Sequence, residues 1–151
     1  MELSSIIEIA HMETRDLPRH KIIVGLTAQL TEKVADTAIA LWEQMATQII
    51  AIVGEGGFNS LYARSLFLTA SHHPWLASGA LSPQTGQRFA ELKICMEEQA
   101  PAQVVAGTSL LLITFTDILA SLIGEQLTVR ILQSAWGHGT QGLNGKEFNS
   151  E

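Results

Sequence analysis

The sequence predicts an all-α fold, a bundle of about five helices built from two packed helix-turn-helix hairpins, with an extended N-terminal arm and a mobile C-terminal tail. Apolar residues recur at helical spacing over long stretches, and Pro and Gly fall between those stretches. One unit also occurs twice: a long apolar helix ends in Gly-Glu, and a second helix follows at once. The first copy runs through Ile49-Ile50-Ala51-Ile52-Val53-Gly54-Glu55 and the second through Leu119-Ala120-Ser121-Leu122-Ile123-Gly124-Glu125. At their offset of seventy residues the Gly and the Glu are the only identities in this block, and the rest is apolar for apolar.

Residues 1–21 read as an arm. Leu3, Ile6, Ile7 and Ala10 could form one short amphipathic stretch, which Pro18 and the surrounding charges interrupt. The first strong helix is expected over 27–53. Leu30, Val34, Ala38, Leu41, Met45, Ile49 and Ile52 form one stripe, and Ala35, Ile39, Trp42, Ala46, Ile50 and Val53 form a second beside it. A helix apolar over so much of its circumference needs covering on several sides. Gly54 suits a helix end, and Glu55-Gly56-Gly57 reads as a turn.

A second helix is expected over 58–70, with Phe58, Leu61, Tyr62, Leu66 and Leu68 inward and Pro74 beyond its end. Trp75 and Leu76 are expected to fold back as a plug. Residues 78–86 are rich in Ser, Gly and Pro and read as a loop. Ser82-Pro83 resembles a helix start, so a third helix is expected from there to about Gln99, with Phe89, Leu92 and Met96 on one face. Pro101 starts the fourth helix, Gly124 ends it, and 125–136 forms the fifth. The divisions are thus an arm (1–21), one helical domain (22–137) and a polar, glycine-rich tail expected to be disordered (138–151).

At 151 residues the chain fits one domain with a real core. It is 46% hydrophobic and only 16% charged, against about a quarter charged in an ordinary soluble domain. Much of its surface should therefore be hidden, in a tight bundle or against a second copy, so a homo-oligomer is expected and a dimer favoured. A net charge of -6 argues against a nucleic-acid surface. The lone Cys95 excludes an internal disulfide framework and fits a reducing, cytoplasmic setting. No signal peptide is expected, because the first residues lack a basic leader and a sustained apolar run. Residues 104–124 carry Asp117 as their only charge and are long enough to span a membrane. Their Ser and Thr content and the absence of flanking Lys/Arg bias favour a buried core helix instead.

The candidate chemistry is sparse. Glu55-Gly56-Gly57-Phe58 could cradle an anion, but the Lys and Ser/Thr of a phosphate loop are missing, and a turn capped by Glu55 is the plainer expectation. Arg64, Asp117 and Arg130 sit in apolar helices, where charge is costly unless paired. Glu55, Asp117 and Glu125 are therefore expected to pair with Arg64 and Arg130. That set is either a register-setting network or, with Tyr62 and Trp75, the lining of a pocket for a small anion. Trp42, Phe58, Tyr62 and Trp75 are the pocket or interface aromatics, and packing is the plainer role for Trp42, Trp75 and Trp136.

His72 and His73 are neighbours before Pro74 and point apart on a helix, so no metal site and no cofactor are expected. They lie at a helix end with no Lys nearby, unlike the receiving histidine of a phosphotransfer bundle. Cys95 reads as a small buried hydrophobe. The sequence thus favours a non-enzymatic helical interaction or regulatory module that self-associates, in a protein–protein or signalling role. The alternative is a sensor of a small anionic ligand bound between the hairpins.

Overall fold

The computed structural model describes residues 17–30, 33–83 and 86–137. The fold is an all-helical bundle, without strands among the described residues. Its helices are α1 (Pro18–Ala28), α2 (Val34–Thr69), α3 (Ala90–Glu97), α4 (Pro101–Ile123) and α5 (Glu125–Ala135), with one 3-10 turn, η1 (Pro74–Ser78), between α2 and α3. Arm residues 1–16 and the tail from 138 onward lie outside the described residues.

α1 overturns part of the expected arm. Pro18 stands in its first turn, where a missing N–H costs nothing. Ile22, Ile23 and Leu26 then recur at helical spacing and are buried. Lys33, in the left-handed region at φ 48°, separates α1 from α2. The first long helix therefore starts at Val34 rather than near residue 27. α2 bends at Gly54 and resumes at Glu55, so Glu55, Gly56 and Gly57 belong to helix and not to a turn.

The inner face of α2 presents Val34, Ala38, Trp42, Met45, Ala46 and Ile49 before the bend, and Phe58, Leu61, Tyr62, Ser65, Leu66 and Thr69 after it. Leu68, expected inward, is exposed; its neighbour Thr69 takes the buried position and donates from its hydroxyl to the Ser65 carbonyl at 2.8 Å. Of the second stripe before the bend, Trp42 and Ala46 are buried, while Ile39, Ile50 and Val53 remain half-buried. α3 begins at Ala90, not near Pro83, because Gly86 at φ 82° turns the chain just before it.

α4 is the central rod and packs against α1, α2 and α5. Its Thr108, Leu111, Leu112, Phe115, Thr116 and Leu119 are buried. α2 and α4 are also long and apolar enough to cross a membrane by length and composition. Five rings close the core. Trp42 stands edge-on to Tyr62 at 5.3 Å and to Phe115 at 5.4 Å, with Phe58 and Phe89 completing the cluster. Such tilted contacts add about 0.5–1.5 kcal/mol per pair beyond area burial. Trp136 ties α5 to α2 through its indole N–H, which donates to the Leu41 carbonyl at 2.9 Å.

Trp75 plugs the side of α4. It lies directly on Gly107, where an added Cβ would stand 2.4 Å from the indole ring. Gly107→Ala is accordingly expected to lower stability by about 1–2 kcal/mol, the ordinary cost of overpacking. Because Trp75 is only half-buried, it should yield by swinging outward. Chemical denaturation followed by tryptophan emission checks both effects: a lower midpoint, and a red-shifted native spectrum that Trp75→Phe removes.

Candidate functional site

The two Gly-Glu junctions share one backbone geometry. Gly54 has φ 83° and ψ 167°, and Gly124 has φ 99° and ψ 153°. Only glycine enters this region without substantial strain. After each elbow a glutamate occupies the first turn of the next helix, where negative charge is favoured. An arginine from the other half of the chain meets each glutamate. Arg19 leads α1 and pairs with Glu125 at 2.9 Å. Arg88 precedes α3, sixty-nine positions later, and pairs with Glu55 at 3.0 Å. The packing is reciprocal too: α1 lies on α4 and α5, while α3 lies on α2. Each short helix therefore closes the other half's elbow.

The two elbows differ in what surrounds the arginine. Arg19 is almost wholly buried. Its Nε and one terminal nitrogen both donate to the Glu125 carboxylate, at 3.1 and 2.9 Å. Its other terminal nitrogen donates to Thr116 Oγ1 at 3.2 Å and to Asp117 Oδ1. His20 Nε2 lies 2.7 Å from the same Asp117 oxygen. Burial works against the Arg19 charge, yet the bonds to Glu125 and Asp117 hold its pKa above the ordinary value. Burial alone would likewise raise the Asp117 carboxyl, but His20 and Arg19 hold it below the usual carboxylate range.

At the other elbow Thr47 stands where Asp117 does, eight residues before the glutamate, and Phe89 stands where His20 does. Arg88 keeps one ion pair, from a terminal nitrogen to Glu55 Oε2. Its guanidinium carbon lies 6.0 Å from the centre of the Phe58 ring, and the side chain remains 31% exposed. The Ser82 N–H donates to the Arg88 carbonyl at 2.9 Å, which ties together the two ends of the loop that carries it.

A cleft of about 510 Å³ opens beside this looser pair. One wall is α2 after the elbow: Glu55, Asn59, Tyr62, Ala63 and Leu66. The facing wall is Ala80, Leu81, Ser82 and Pro83, with Arg88 at the rim of the same chain segment. Tyr62 is fixed at the base, because its hydroxyl donates to the Gly79 carbonyl at 2.7 Å. Burial pushes its phenol far above the ordinary range, so it stays protonated. The volume falls in the range of small-molecule sites, and the lining mixes apolar surface with a few polar groups.

The expected network is redrawn by these positions. Asp117 and Glu125 meet one arginine, but it is Arg19, and Glu55 meets Arg88. Arg64 and Arg130, the expected partners, are exposed. The buried set in the second part of α2 is Phe58, Leu61, Tyr62, Ser65, Leu66 and Thr69, which puts Arg64 on the outside; Thr128, Ile131 and Leu132 do the same to Arg130. The expected pocket of Arg64, Tyr62, Trp75 and Asp117 does not assemble. Trp75 lies on Gly107, Asp117 is with Arg19, and only Tyr62 faces the cleft. Trp42 and Phe58 belong to the core cluster.

Arg19 and Arg88 escaped the sequence reading. The signal for Arg19 was Pro18 followed by Ile22, Ile23 and Leu26, a helix start inside what looked like an arm. Arg88 lies sixty-nine positions after Arg19, one short of the offset between the Gly-Glu pairs, so a strict extension of the repeat points to Phe89 instead. His73 rests against the Trp75 ring at 6.3 Å while His72 is exposed, and no cluster of metal-ligating groups forms among the described residues. No protein family, curated protein or solved structure matches the chain.

Proposed function

We propose that the protein is a non-catalytic small-molecule-binding module whose site is the cleft at the Gly54 elbow. One observation carries the reading: a cavity of ligand size between α2 and the 80–83 segment, with Arg88, Glu55 and Asn59 as polar groups and Ala63, Leu66, Leu81 and Pro83 as apolar walls. The site joins two chain segments that meet only through folding, so a ligand there would bias how they sit together. The buried, hydrogen-bonded state of Tyr62 fits recognition rather than proton transfer.

Ligand binding should raise the unfolding midpoint of the purified chain. Saturation at 100 times Kd adds about 2.7 kcal/mol, or roughly 5–11 °C for a chain of this size. Ala63→Trp, which fills the cleft from one wall, should abolish the rise while leaving the unliganded fold intact. A compound library that stabilises the wild type and this variant equally removes the reading.

Self-association is a second reading. Phe67, 77% exposed, and Leu122, 66% exposed, are large apolar side chains that a second copy of the chain could cover. A dimer that buries them should dissociate in Phe67→Ser, as read by sedimentation velocity. A wild-type chain that sediments as a monomer at 100 micromolar, a concentration of about 10⁻⁴ M at which weak interfaces populate, ends this second reading.

A further inference from the structure

We propose that Arg88 is a carboxylate receptor, and that the cleft's ligand is a monocarboxylic acid whose carboxylate gives Arg88 the second carboxylate partner that Arg19 finds within the protein. This rests on the ligand-binding reading above and names the chemistry of its ligand.

The argument is a comparison inside one molecule. Arg19 stands in the first turn of α1 and Arg88 two residues before α3, and each meets the glutamate that follows an elbow glycine. Arg19 is satisfied by two carboxylates: Glu125 on Nε and one terminal nitrogen, Asp117 on the other. Arg88 has the first partner in weaker form, one bond to Glu55, and no second carboxylate among the described residues; Thr47 holds the sequence position that answers to Asp117. Thr47 turns its own hydroxyl back to the Glu43 carbonyl at 3.0 Å. Among the described residues Arg88 therefore keeps free N–H donors, in the planar fork that matches a carboxylate. Arg88 itself lines the cavity, and its side chain is 31% exposed.

Two features select among anions. Glu55 is 67% exposed and adjacent, so a singly charged head is tolerated better than a doubly charged phosphate ester. Ala63, Leu66, Leu81 and Pro83 offer apolar surface beyond the head, which a free inorganic anion would leave unused. Glu55 also competes with the ligand for Arg88. Capture of the carboxylate thus loosens the bond that holds the segment before α3 to the start of the helix beyond the Gly54 elbow.

The test is an NMR titration of the full chain with hexanoate, benzoate and phenylacetate, each against its primary amide, and with inorganic phosphate. The expected result is saturable movement of the Asn59, Ala63 and Leu81 amides by the acids, with the amides binding at least about tenfold more weakly, as loss of a charged hydrogen bond implies. Arg88→Gln should weaken acid binding by about the same factor, and Glu55→Gln should tighten it by removing the competitor. A merely structural ion pair would give weakening or no change in both variants. If amides bind as well as acids and Arg88→Gln is indifferent, the cleft remains a ligand site and the carboxylate assignment falls. Phosphate that binds at Arg88 when the acids do not also overturns the assignment. If no probe moves the cleft amides, the assignment and the ligand-binding reading fall together.

Discussion

Arg19→Met is expected to be among the most damaging single substitutions in the chain, lowering stability by about 3 kcal/mol, the low end for breaking a buried ion pair. For a chain of this size that corresponds to a fall of roughly 6–12 °C in the unfolding midpoint. The low end applies because Asp117 and Glu125 are each more than a third exposed, so water can recover part of what the guanidinium supplied. The rest is lost because Thr116 and His20 are buried around the same nitrogen and must repack. Arg88→Met is the internal control: its pair with Glu55 is solvent-exposed and should contribute under about 1 kcal/mol. Urea denaturation of the two variants beside the wild type decides it, and equal losses would contradict the asymmetry between the elbows. The acid limb gives a second readout. The folded Asp117 carboxyl titrates below its ordinary 3.8, so its contribution is intact above that pH and is lost as the pH falls through the lower folded value. With Arg19 removed that depression shrinks, and the stability of Arg19→Met should fall less between pH 5 and 3, a range of about two units around the carboxylate pKa.

The helical class, the two elbows and the order of the long helices are legible in the sequence because they depend on local rules. Spacing of apolar residues fixes α2 and α4, and Gly-Glu after an apolar run marks each elbow. The site was less legible, for two physical reasons. Arg64 and Arg130 looked costly because they stand in apolar helices, but cost depends on the face and not on the helix. Tyr62 and Ser65, flanking Arg64 on the buried side, leave it pointing to water. Arg19 and Arg88 earn their roles from reciprocal packing, with α1 on the α4 elbow and α3 on the α2 elbow. A contact between residues 106 positions apart leaves no local periodicity to read. The cleft is hidden for the same reason, since its two walls share no pattern and Arg88 sits in a segment that reads as the first turns of a helix.

The glycine elbows provide the other large effect, and they separate backbone strain from crowding. Gly54→Ala and Gly124→Ala should each cost about 1–3 kcal/mol, because an L-residue at these angles is strained. Crowding is not involved: a Cβ built at either position meets nothing within 4 Å. Gly56→Ala, two residues from the first elbow, also meets open space but has ordinary helical geometry. It should stabilise the protein by up to about 1 kcal/mol through helix propensity. Neighbouring, equally uncrowded glycines are thus expected to shift thermal unfolding in opposite directions. The mirror image sharpens the test. Angles of +83° and 167° invert to an extended conformation that any L-residue adopts, so D-alanine at position 54 should fit without strain. Introduced by ligation of a synthetic segment, D-alanine should match or exceed glycine by about 0.4–1 kcal/mol, because it narrows the unfolded ensemble. If L-alanine and D-alanine at position 54 prove equally harmful, the elbow depends on flexibility or on an approach made only in solution. If L-alanine alone is harmful, handedness of the backbone is what lets a helix end at Val53 and a new one begin at Glu55, with the carboxylate delivered to Arg88.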